Sequence, residues 1–422
     1  MHHASQSSLP RVQRDVKALL GRWKGEKPNV LPVIDSELYL LLPDRDTVDY
    51  FVRLYFDTFE PIYRILHRPS FWEEYKMFWE SQQTSKPSFI ILLLLIMAAV
   101  SCTFPKKQPP TYIGDSSIAR EQAVMWISVS EWWLGNHSQK NVYLAIWQIR
   151  CLLVLAKQVN IVKKKRHWTV AGTLVREAMS AGFHRDPSVL GEKVSVFDQE
   201  MRRRLWATMV ELELQTSIDR GMYSASAGIP SDSETVSNIN DEDFTVECHT
   251  LPPSKPWREY TTSSFLHISR ASFPLRVALA SRVNDLSTPL RYEEVLTYEE
   301  TITKELQRLP RKAGPGEIQD SQEMPAVART LLDVQLRQFL ILLHAPFARQ
   351  ADANSRYVLS RMICFNAAAS IIEQYSHLNS SGNFLLLLLR HDYFMGALVI
   401  CHNMYISISL KSMHITSRFH VL

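Results

Sequence analysis

Cysteine is scarce in this sequence. Five occur in 422 residues, Cys102, Cys151, Cys248, Cys364 and Cys401, and no two form a CxxC pair, so neither a thiolate zinc centre nor a disulfide framework is expected. Few, unpaired cysteines fit a reducing compartment. HExxH, GxSxG, GxGxxG and the Walker phosphate loop are absent, which removes the commonest routes to metalloprotease, hydrolase, dinucleotide and nucleotide-phosphate chemistry. Apart from the terminal pair His2 and His3 the histidines stand singly, so no metal, no cofactor and no enzymatic activity are expected. Charge of one sign is also lacking: a net +4 is too small over this length to argue by itself for nucleic acid or membrane. The opening MHHASQSSLPRVQRD has no apolar core of a secretory signal.

What is present is apolar helical pattern. Apolar residues make up 46 % of the chain and charged ones 21 %, the proportions of a globular protein. The length exceeds the roughly 250–300 residues at which one core stops growing, so two packed helical lobes or one elongated helical array are expected. Two runs raise the question of a membrane. Phe89 to Phe104 is short for a span and bounded by Pro87 and Pro105, and Phe384 to Cys401 is interrupted by Arg390, His391 and Asp392; both read as buried core helices.

Helical spacing continues elsewhere. Val12, Val16, Leu19, Leu20 and Trp23 form a stripe that Pro28 stops, and the aromatic helix after Pro43 ends at Pro61. Trp168, Ala171, Val175 and Ala178 lead to Gly182, placed as a left-handed C-cap. Ser195 with Asp198 marks the start of a helix whose apolar face is Met201, Leu205, Met209 and Leu212. Asp198 to Arg202 and Glu200 to Arg204 read as i, i+4 pairs on the opposite side. Polar loops are expected between Tyr223 and Pro256 and over residues 308–325. No period-two alternation supports a sheet, and the fold class is all-α.

Two local features invite functional readings. His184-Arg185-Asp186 matches the HRD of kinase catalytic loops, but Pro187 follows it, Gly191 stands where the metal-binding Asn would be, and no phosphate loop precedes it. Lys163, Lys164, Lys165 and Arg166 are four consecutive cations between helices, read either as a solvated loop or as a nuclear import signal.

Three segments carry a resemblance: DYFVRLYFDTFEPIYRILHRPSF at Asp49 to Phe71, GTLVREAMSAGFHRDP at Gly172 to Pro187, and FDQEMRRRLW at Phe197 to Trp206. In order and spacing they resemble the fungal-specific transcription factor domain, the regulatory middle region of zinc binuclear cluster transcription factors. The resemblance implies residues 1–42 as a partly disordered linker, 43–260 as the best-matching part, and 261–422 as its helical continuation. It makes His184, Arg185, Asp186, Arg203 and Trp206 a structural motif that fixes a helix-to-loop turn, and it assigns His67, His184 and His344 to turns. One departure is Gly221-Met222-Tyr223, where relatives carry a Gly-Arg-Pro-like turn.

The function implied is regulation, in the nucleus, of fungal pathway genes for nutrient use or secondary metabolism. The implied partners are a second copy or a related chain as a dimer, the transcription machinery, a zinc-cluster factor, and a small-molecule effector. The zinc cluster is not in the sequence, so no DNA-binding residue is identified and sequence-specific DNA binding by this stretch is not expected. The alternative is a helical metabolite-binding or protein-interaction module that does not act at promoters.

Overall fold

The computed structural model describes residues 35–80, 86–102, 112–113, 116–136, 144–310 and 324–419, together with Arg14. The expected N-terminal linker, apart from Arg14 and residues 35–42, and most of the expected break at 308–325 lie outside the described residues. A 3₁₀ turn, Asp35–Leu41, leads into α1 (Arg45–Thr58), α2 (Arg68–Glu80), α3 (Pro87–Val100), α4 (Ile118–Asn136), α5 (Leu144–Val159), α6 (His167–Ser180) and α7 (Val196–Arg220). After a long connection come α8 (Ser264–Val283), α9 (Tyr292–Arg308), α10 (Ala326–Ala348), α11 (Val358–Ser380), α12 (Leu385–Leu389) and α13 (Asp392–Phe419). The strand pairing among the described residues is one two-residue antiparallel ladder, Tyr112–Ile113 with Ser116–Ser117. The protein is all-α.

The helix boundaries follow local chemistry. Asp44 caps α1 by accepting from Thr47 N at 2.9 Å, and Pro87 opens α3 at a position where a missing N–H costs no helical bond. Gly182 takes φ +78° after α6, with Phe183 N donating to Ala178 O and Gly182 N to Met179 O, both at 2.9 Å; this is a Schellman stop that residues with a Cβ adopt only under strain. Ser195 Oγ accepts from Asp198 N at 3.0 Å and donates to Asp198 Oδ2 at 2.8 Å, which starts α7.

Helix α3 is apolar on every side because every side is covered: all its residues from Ser88 to Val100 are buried, and α1, α4 and α5 pack around it. Helices α5 and α6 both pack on α7. α7 also packs on α8, which meets α10, and α10 lies against α9 and α11, with α13 on α11. Buried apolar side chains from Leu38 to Leu389 form one contiguous cluster. A smaller one joins Phe197, Met201, Ile239 and Phe244. Buried polar bonds also join the early and late helices. Gln158 Nε2 on α5 donates to Leu389 O at 2.7 Å, and Arg390 Nη1 donates to Gln215 Oε1 on α7 at 2.6 Å. Arg276 on α8 grips Glu211 on α7 with two bonds of 2.8 and 2.6 Å. No helix among the described residues is long and apolar enough to cross a membrane.

Two expectations are corrected here. Glu200 and Arg204 are fully buried rather than on an outward face, because the 221–263 connection covers that side of α7. His344 lies inside α10 rather than in a turn, fully buried with Nδ1 3.0 Å from Ser360 Oγ; burial pushes its pKa down to about 4.

Candidate functional site

The connection from Gly221 to Ser263 is pinned along its length. At its start Glu213 of α7 accepts from Ser224 Oγ at 2.5 Å and Ala225 N at 2.7 Å, so the Gly221-Met222-Tyr223 departure is followed by an anchored turn. Further on, buried Asn238 donates to the carbonyls of Lys255, Pro256 and Glu259 at 3.1–3.2 Å and accepts from Thr261 Oγ1 and Ser264 Oγ at 2.7 and 2.8 Å. One amide thereby gathers five groups and fixes the entry to α8.

The His184-Arg185-Asp186 turn holds the middle of the same connection. Arg203 Nε and Nη2 donate to the two Asp186 oxygens at 2.8 Å each, the two-bond geometry that a guanidinium gives best. Asp186 also accepts from Ser188 N and Glu234 N at 3.0 Å. Burial alone would raise its pKa; the bonds from Arg203, Ser188 and Glu234 outweigh that and hold it well below the ordinary range. Arg185 Nε donates to Asp232 at 2.9 Å. Trp206 Nε1 donates to Ser231 Oγ at 3.2 Å, and Ser231 donates onward to His184 O at 2.8 Å. All five motif residues therefore meet residues 231–234. No reacting group is poised among them.

Sequence reasoning did not anticipate the neighbouring buried network centred on Asp241. Arg64, in the turn after α1, and Arg204 of α7 both reach Asp241 Oδ1, Arg204 at 2.6 Å. Arg68 N donates to Asp241 Oδ2 at 2.9 Å, and His67 Nε2 lies 2.9 Å from Asp241 O. Arg204 Nε donates to Glu200 at 3.1 Å while its guanidinium lies 4.8 Å from the Phe244 ring centre. Glu60 accepts from Tyr55 OH and Leu66 N at 2.9 Å. Burial would raise Asp241, but Arg64 and Arg204 outweigh it and keep it ionised. Glu60 is different: burial dominates Arg64's charge and pushes it up to about 8. The signal in the sequence was the acid at 241 inside a polar loop, which nothing local marks as buried.

The basic run forms a 3₁₀ turn, Lys164–Arg166, between α5 and α6, with Lys163 at φ 53°. Lys163 Nζ is 3.2 Å from Glu131, and Arg220 donates to Lys164 O at 2.6 Å. The side chains of Lys163, Lys164, Lys165 and Arg166 are exposed. A second surface feature is an open groove of about 540 Å³ where α10, α11 and α13 meet. Among the described residues no group of three or more His, Cys, Asp or Glu is placed to hold a metal ion.

The described residues thus form a helical array in which buried polar side chains anchor one long connection. Over residues 52–271 the chain matches the model described as fungal specific transcription factor domain, and it belongs to that family. It is 30 % identical over 386 residues to the transcription factor opdR of Penicillium oxalicum, covering 89 % of this chain and 47 % of that one. To lepE of Aspergillus flavus it is 30 % identical over 337 residues, 78 % of this chain and 39 % of that one. The equisetin cluster transcription factor eqxF of Fusarium heterosporum is 24 % identical over 397 residues, 88 % of this chain and 56 % of that one. The chain thus spans about half the length of the curated relatives it matches. No solved structure matches it.

Proposed function

We propose that this chain is the regulatory body of a transcription factor controlling a fungal secondary-metabolite gene cluster. The observation that carries the reading is similarity across 88 % of the chain to a protein named for such a cluster, over a stretch that includes both anchored motifs. The anchored 221–263 connection would give that body a fixed surface for partners: a second copy or related chain, the transcription machinery or a zinc-cluster factor. Its five cysteines are widely separated, so these 422 residues bring no thiolate cluster to a promoter; base reading falls to another chain or segment. Deleting the gene and measuring all transcripts should change a limited set that lies together on the chromosome. Unchanged transcripts would overturn the reading.

In this reading the protein works in the nucleus, and the exposed turn at Lys163 to Arg166 serves import. A tagged chain should concentrate in nuclei, and K164A/K165A/R166A should shift it toward the cytoplasm without changing its melting temperature. A second reading, a binding module that does not act at promoters, is favoured by the open groove, and an entirely cytoplasmic chain would support it.

A further inference from the structure

The groove between α10, α11 and α13 combines an apolar lining with one sign of charge. Its apolar walls include Ile341 and Ala345 from α10 and Phe394, Leu398 and Val399 from α13. Phe394 and Leu398 are 59 % and 70 % exposed, which is costly for large side chains left facing water. The volume of about 540 Å³ falls within the roughly 300–1,000 Å³ of small-molecule sites.

The charged side chains of the lining are Arg349 and Arg361, and no Asp or Glu belongs to it. Arg361 Nη1 is held by Asp352 at 2.5 Å, and His391 Nδ1 lies 3.0 Å from Asp219. Arg349 is exposed, and no carboxylate pairs with it among the described residues. Its charge acts on the Cys364 thiol in the groove wall, which burial pushes up to about 12 and so keeps neutral. Nothing in the lining therefore offsets the Arg349 charge. An isologous contact centred on the groove would bring two Arg349 charges to one interface, with no lining carboxylate to offset them.

We propose that the groove binds an amphipathic small molecule bearing a carboxylate, its apolar body against Phe394 and Leu398 and its anion on Arg349. This goes beyond the transcriptional reading and does not depend on it, because binding is read on the purified chain and its failure leaves the transcript experiment untouched.

The test uses sodium dodecanoate, below the concentration at which it forms micelles, titrated calorimetrically into the 422-residue chain. Dodecanol and dodecylammonium serve as controls. One dodecanoate should bind per chain, about tenfold tighter than either control, since a charge-assisted bond at a partly exposed site is worth about one decade. Arg349→Gln should remove that preference for the acid, and Leu398→Asp should weaken all binding about tenfold or more. Both positions are exposed, so both variants should melt with the parent. Equal affinity for the three probes, no binding, or dodecanoate binding that survives both substitutions would overturn the proposal. So would a dimer of the parent chain that Leu398→Asp disperses, since a second copy would then be what covers this face.

Discussion

The Asp241 network and the groove beside α13 treat polarity in opposite ways. At the first, charged residues are buried and matched: Arg64 and Arg204 converge on one carboxylate that also accepts a backbone N–H. At the second, large apolar residues are exposed, Phe394 at 59 % and Leu398 at 70 %, and among the described residues no carboxylate pairs with Arg349. A buried charge survives only with partners, so the first region is committed to holding one structure. Exposed apolar surface gains stability only from something that covers it, so the second region is where the proposed ligand would gain by binding. The long connection takes its shape from the first, and none of its residues lines the second.

The comparison breaks first if Asp241 can be removed cheaply. Asp241→Ala would leave two guanidiniums buried without their common carboxylate, and about 3–5 kcal/mol of stability should be lost, read as a lowered urea midpoint. Because Asp241 is held below its ordinary range, its contribution is present above about pH 4 and is lost as the pH falls. A loss under about 1 kcal/mol would mean that the network is dispensable.

Glu60 gives the next largest effect and the opposite sign. Its pKa rises to about 8 in the folded chain against about 4.3 unfolded, so between these values the folded state holds a proton that the unfolded state has lost. Its stabilising contribution is full below about pH 4 and declines as the pH rises through 8, by at most about 1.4 kcal/mol per unit. His344 acts at lower pH, between about 4 and its unfolded value near 6.5, so the window from 6.5 to 8 isolates Glu60 from it. There the parent should lose stability with rising pH, and Glu60→Gln, which cannot ionise, should flatten that slope. Parallel curves for the two would show that Glu60 is ionised throughout.

Much of the scaffold was legible because it is local. Gly182, Ser195, Pro61 and the apolar run in α3 each signal within a few residues where a helix starts, stops or buries itself. The spacing of Glu200 and Arg204 was legible as well, but its direction was not: an i, i+4 charged pair reads as a solvated face unless something distant covers it. What covers it here is a polar loop that sequence composition marks only as loop. Arg64 and Asp241 stand 177 positions apart, and no periodicity connects them. His344 was misplaced for the same reason, since its partner Ser360 belongs to the next helix. The groove was missed because its apolar residues follow helical spacing like any core stripe, and only the packed structure shows Phe394 and Leu398 to be exposed among the described residues.

The smallest effect tests whether exposure beside the groove is as free of structural duty as the geometry indicates. Met362 lies on α11 between the lining residues Arg361 and Cys364 but is not itself part of the lining, and it is 56 % exposed. Met201, in the satellite core beside the Asp241 network, is fully buried. The same substitution to Gln keeps helix propensity nearly constant at both positions, so the difference between them measures burial alone. Met362→Gln should change stability by no more than about 0.5 kcal/mol. Met201→Gln places an amide in an apolar site with no partner provided and should cost about 2 kcal/mol or more. Dodecanoate affinity should be unchanged in Met362→Gln, because the side chain points to solvent rather than into the groove. If Met362→Gln were as costly as Met201→Gln, the face of α11 would be part of the folded core in solution, and the contrast between a committed region and an open one would fail.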